Sequence, residues 1–157
     1  MAAIIVSGGT YSGSGDLTCE AVVLGGKQGV DWGASTFICP DGVLEITGNS
    51  HVGYSDSAIF VYNGTSDTWT HNGGTVRFTG GVGDKQNVTD YANAPWYWNN
   101  VEIQNDNTTT DEGVRWGNPW NSDVTIAGDL TISGNADYYV NNNGAYHYKV
   151  SGNVNII

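Results

Sequence analysis

The chain has 157 residues, enough for one domain, residues 1–157, with a real core. Sixteen acidic and five basic residues give a formal net charge of -11, which repels nucleic-acid phosphates and anionic headgroups and excludes both as partners. Gly supplies 23 residues and charged side chains only 13%, while 39% hydrophobic content argues against disorder, so an all-β domain rich in turns is expected.

The chain opens on Met1-Ala2-Ala3-Ile4-Ile5-Val6-Ser7-Gly8, which lacks the basic region and long apolar run of a signal peptide. Either a signal has been removed or none is used. No later stretch nears the ~20 apolar residues of a membrane helix, so membrane insertion is not expected. Val6-Ser7-Gly8 is the first copy of a recurring phrase: an aliphatic or aromatic residue, a small residue, then Gly. It returns as Ile46-Thr47-Gly48, Phe78-Thr79-Gly80, Ile126-Ala127-Gly128, Ile132-Ser133-Gly134 and Val150-Ser151-Gly152.

The residues before the phrase alternate. In Val43-Leu44-Glu45-Ile46, Leu44 and Ile46 share a face and Glu45 points away. Val76 and Phe78 bracket Arg77 in the same way. Val124-Thr125-Ile126, Leu130-Thr131-Ile132, Tyr148-Lys149-Val150 and Val154-Asn155-Ile156 repeat the pattern. Period-two alternation ending in Gly predicts half-buried strands followed by turns. Arg77 and Lys149 are read as outward positions stacked near Glu45 as charge partners.

Between these strands lie turn formers. Gly25-Gly26-Lys27-Gln28-Gly29 and Gly80-Gly81-Val82-Gly83-Asp84 are read as tight turns, and residues 105–113 as a loop. Asn141-Asn142-Asn143-Gly144 suits a hairpin or corner. Helical evidence is thin: Val88, Tyr91 and Ala92 have the spacing of one short helical turn. The chain closes on Asn153-Val154-Asn155-Ile156-Ile157 in strand-like sequence, an edge open to another chain.

Residues 73–157 carry a family resemblance. Gly74-Thr75-Val76-Arg77-Phe78-Thr79-Gly80 is followed by the Gln-containing Gln86-Asn87-Val88-Thr89. Next come Trp98-Asn99-Asn100-Val101-Glu102-Ile103 and the two alternating pairs near the C-terminus. This order resembles repeat segments of large bacterial surface proteins and of some phage structural proteins, which are read as parallel β-solenoids. The chain departs from the pattern by inserting residues 106–121, and its first 70 residues match loosely. The resemblance implies architecture and a surface location, and it brings no catalytic residues.

Candidate sites are few. Six Trp and nine Tyr cluster near turns, and Trp69, Trp96, Trp98, Trp116 and Trp120 are candidates for a binding or interface surface, since indoles offer flat platforms to sugars and proteins. The competing reading packs them into the core. Asp106, Asp111 and Glu112 share one loop and form a weak candidate for Ca²⁺, although the spacing does not fit an EF-hand. Otherwise no cofactor is expected. Cys19 and Cys39 form a disulfide in an oxidising compartment or remain two buried thiols. His51, His71 and His147 show no short ligand spacing. No Gly-x-Ser-x-Gly elbow and no phosphate loop is present.

The expected fold is therefore a parallel β-solenoid, with an antiparallel sandwich or jelly roll as the alternative. The expected function is a non-enzymatic structural or assembly protein of a cell surface, extracellular filament or virion, with self-association. The alternative is an adhesin or tail module whose loop aromatics bind a glycan or surface receptor. A polysaccharide-cleaving enzyme ranks below both, because sixteen acids make a carboxylate pair easy to imagine and impossible to select.

Overall fold

The computed structural model describes residues 2–27, 29–48, 57–62, 66–80, 86–90, 96–104, 114–116, 123–134, 138–140 and 148–157. All regular structure among them is β. The chain makes six successive passes, each laying down strands in the same order. The first holds β1 (Ile4–Val6), β2 (Gly9–Ser12) and β3 (Leu17–Cys19). The second holds β4 (Val22–Leu24), a two-strand insertion β5 (Gly26–Lys27) and β6 (Val30–Asp31), then β7 (Ser35–Ile38) and β8 (Val43–Ile46). The third holds β9 (Ser57–Val61), β10 (Thr68–Thr70) and β11 (Thr75–Phe78). The fourth holds β12 (Gln86–Asp90), β13 (Trp96–Trp98) and β14 (Asn100–Ile103). The fifth holds β15 (Val114–Trp116), β16 (Val124–Ile126) and β17 (Leu130–Ile132). The sixth holds β18 (Tyr138–Val140), β19 (Tyr148–Val150) and β20 (Val154–Ile156).

Strands of equal place in successive passes pair in parallel, except β10 and β13, where the middle strands divide into two sheets. Sheet 1 runs β1-β4-β9-β12-β15-β18 and sheet 3 runs β3-β8-β11-β14-β17-β20. Between them lie sheet 2, β2-β7-β10, and sheet 4, β13-β16-β19. Sheets 2 and 4 adjoin where Trp69 of β10 packs on Trp98 of β13, with ring centroids 5.0 Å apart. Among the described residues no sheet closes into a barrel. Among the described residues the insertion β5–β6 is the one antiparallel pair, so the antiparallel sandwich has no support in these strands. The thin helical signal around Val88 gives way to a strand. Val88 lies in β12, in register with Ile59 and Trp116, while Tyr91 and Ala92 lie outside the described residues. Sheet pairing on both sides overrides the weak helical spacing.

Alternation decides what is buried. In sheet 3, Leu17, Leu44, Val76, Val101 and Leu130 stand in one inward row, continued by Val154. Cys19, Ile46, Phe78, Ile103 and Ile132 form the next row, continued by Ile156. Leu44, Ile46, Phe78, Val101 and Ile103 are fully shielded, each worth roughly 1.5–3 kcal/mol of transfer free energy. Sheet 1 differs at its second and third strands. Val22, Val23 and Leu24 of β4, and Ala58, Ile59 and Phe60 of β9, are all buried. These strands read as continuous apolar runs because both of their faces are covered.

The corners before sheet 3 are built from Gly and Asx residues. Val43 N–H donates to Asp16 Oδ1 at 2.9 Å and Gly15 N–H to Asp41 Oδ1 at 2.7 Å. Asp129 N–H donates to Asn100 Oδ1 at 3.0 Å and Asn153 N–H to Asp129 Oδ1 at 2.8 Å. Each side chain thus satisfies a backbone donor of the neighbouring pass, which the sheet ladder leaves over. The passes approach too closely here for a side chain. A Cβ on Gly42 would lie 2.6 Å from the Gly15 carbonyl carbon, and one on Gly152 would lie 2.7 Å from that of Gly128.

Candidate functional site

The aromatic candidates divide by their place in β10 and β13. Strand geometry sends successive side chains to opposite faces. In Trp96-Tyr97-Trp98 both indoles therefore point inward, at 4% and 0% exposure, and Tyr97 points out at 51%. Trp69 is half-buried and packs against the same core. Together they end an interior stack. Tyr11 lies on Phe37 at 4.9 Å and Phe37 on Trp69 at 4.8 Å. Trp69 meets Trp98 at 5.0 Å and Trp96 at 5.8 Å, and Trp96 and Trp98 are stacked at 5.3 Å. Trp96 and Trp98 are thus core residues of a single chain and offer no platform to solvent. Trp116 is placed by its backbone in β15, and its side chain lies outside the described residues, as does all of Trp120. Tyr97 was not singled out in the sequence, yet it presents its ring to solvent. The alternation that grouped Trp96 with Trp98 was the signal that sets it apart.

The calcium candidates Asp106, Asp111 and Glu112 lie outside the described residues, as do His51 and His147. Among the described residues no three metal-ligating side chains converge. Cys19 and Cys39 are free thiols, both buried. Burial pushes each up to about 12 from an ordinary 9.0, with a backbone hydrogen bond opposing this slightly at Cys39. A thiol so protonated is a poor nucleophile. We expect neither to react with a disulfide reagent at pH 8 in the native protein, and both to react once denaturant unfolds it. A raised thiol pKa contributes stability in full below 9.0 and loses it as pH rises towards 12. A melting temperature that falls across this alkaline window would agree.

The outward faces carry distinct chemistry. On sheet 3, Thr18, Glu45, Arg77 and Glu102 are register partners. Arg77 Nε donates to Glu102 Oε2 at 2.7 Å, and Thr79 Oγ1 donates to Glu45 Oε1 at 3.1 Å. Arg77 thus stands beside Glu45 as the sequence suggests, but Lys149 does not. Lys149 lies in β19 of sheet 4, next to Thr125. Identical strand patterns do not reveal which sheet a strand joins, and that is the reason for the difference. The outward row of sheet 2 is Thr10, Thr36 and Thr68, and that of sheet 4 is Tyr97, Thr125 and Lys149. At the end of the last pass, Val154, Ile156 and Ile157 are exposed at 57%, 78% and 80%.

No known family, characterised protein or solved structure matches this chain. Function must therefore be argued from these surfaces.

Proposed function

We propose that the chain is a parallel β-solenoid serving as a non-enzymatic structural or assembly module of a cell surface, extracellular filament or virion. The observation that carries this is the edge at β20. Val154 and Ile156 stand in line with two inward rows of sheet 3, yet are 57% and 78% exposed. Among the described residues β20 pairs on one side only, with β17. A parallel edge with apolar side chains in register with a core is a template for one more strand. The opposite end of the sheet, β3, presents Leu17 and Cys19 in the same two rows. Joining one end to the other is a heterologous contact, which builds rings or open filaments. The resemblance of residues 73–157 to surface and phage repeats supports the same reading. The stack supplies rigidity, and acidity supplies solubility between copies.

The test is mass against concentration by light scattering, with negative-stain imaging. Native protein is expected to grow into oligomers or short filaments as concentration rises. Ile156→Lys, which places a charge in the proposed contact, is expected to hold it monomeric with an unchanged melting temperature. A native protein that stays monomeric at every concentration overturns the reading.

A further inference from the structure

We propose that the outer face of sheets 2 and 4, centred on Tyr97, binds an extended, uncharged, β-linked polysaccharide chain. The proposal does not depend on assembly through β20.

The first ground is charge. The outward side chains from β2 to β16 are Thr10, Ser12, Thr36, Ile38, Thr68, Thr70, Tyr97 and Thr125. None is charged, although the chain carries -11 overall. The equivalent face of sheet 3 carries Glu45, Arg77 and Glu102. Lys149 of β19 stands at the far end of this face, beside Thr125; the uncharged run from β2 to β16 on so acidic a protein does not attract a polyelectrolyte, and the surrounding field repels anionic glycans.

The second ground is Tyr97 itself. It is 51% exposed, the one large exposed aromatic among the described residues. Trp96 and Trp98, its neighbours in β13, are locked in the core, so its backbone is fixed and little freedom is lost on binding. A phenol ring gives a flat apolar face for the C–H side of a sugar and a polar edge for its hydroxyls. Thr125 stands directly beside it in register, and the threonines of β7 and β10 continue the face beyond the Trp69 contact. Each hydroxyl both donates and accepts, which matches sugar hydroxyls.

The third ground is spacing. Adjacent parallel strands lie ~4.8 Å apart. One pyranose adds a closely similar length to an extended β-linked chain. Within sheet 2 and within sheet 4 a polymer lying along the stacking direction therefore meets one strand per sugar, with Tyr97 stacked on one ring and Thr125 meeting the next. An α-linked polymer coils and loses this match.

The experiment is affinity gel electrophoresis of the full chain in soluble β-glucan, with dextran and pectate gels as α-linked and anionic comparisons. Retardation is expected in β-glucan alone. Tyr97→Ala is expected to weaken it at least tenfold, and Thr125→Lys, which blocks the track with a long side chain, to do the same. Unchanged melting temperatures would verify the fold of both. Ile156→Lys should bind β-glucan as the native chain does, which separates this proposal from assembly. Absence of retardation in β-glucan, equal retardation in pectate, or retardation unaffected by Tyr97→Ala would each overturn the proposal.

Discussion

Trp98→Ala is expected to lower stability by about 3–5 kcal/mol, the range for large-to-small changes at buried aromatic sites. Trp98 is fully shielded and packs against both Trp69 and Trp96. It also stands in register with Ile126, so its ring closes the gap between sheet 2 and the rows of sheet 4. Truncation removes the transfer free energy of the indole and leaves a cavity between two remaining indoles, which cannot collapse together without moving their strands. For a chain of this size the loss corresponds to a fall in melting temperature of roughly 10 °C. Tyr97→Ala, one residue away, is expected to change stability by no more than about 0.5 kcal/mol, because its side chain faces out. Thermal denaturation followed by circular dichroism measures both. Equal losses for the two variants would contradict the inward and outward assignment of β13.

Much of sheet 3 was legible in the sequence, because its strands alternate strictly. Leu44, Ile46, Val76, Phe78, Leu130 and Ile132 were placed on one face by period two alone, and the structure lines them up. Direction of pairing was not legible that way. A parallel and an antiparallel partner impose the same alternation, and only the order of return decides between them. Sheet 1 was harder for a different reason. Val22-Val23-Leu24 and Ser57 to Val61 carry no alternation, since both faces are covered, and such runs say nothing about a face. Residues 25–29 were read as a tight turn from their run of glycines, and Gly25 and Gly29, both at positive φ, do mark the bends of the short insertion β5–β6. For Trp96 and Trp98 the sequence left a platform and a core position both open, for want of one distinction. Trp density was visible, but whether a Trp lines a loop or a core follows from its strand phase. In β13 that phase sends Trp96 and Trp98 inward and leaves Tyr97 to solvent.

Gln86 is the second residue whose loss should be large, and its chemistry gives a pH signature. Its side chain is fully buried at the start of β12. Oε1 accepts from Gly80 N–H at 2.9 Å, and Nε2 donates to the carbonyl of Ile46 at 2.9 Å. One amide thus ties together the second, third and fourth passes at a corner where the sheet ladders leave backbone groups over. Gln86→Leu keeps most of the volume but strands the buried Gly80 N–H, at about 1–3 kcal/mol, while the Ile46 carbonyl keeps its bond from Thr79 N–H at 2.9 Å. Gln86→Glu separates this from packing. A protonated Glu both accepts and donates, as Gln does, whereas a carboxylate faces the Ile46 carbonyl with no proton and no counter-charge. Burial without a cation raises the folded pKa of the new acid above its unfolded value of ~4.3. A raised pKa means that the stability is present below ~4.3 and is lost as pH rises through the folded value. The variant should therefore melt close to the native protein near pH 4 and well below it at pH 8, while Gln86→Leu should lag at both. If the Glu variant showed no such divergence, the hydrogen bonds of Gln86 would not be what joins the three passes.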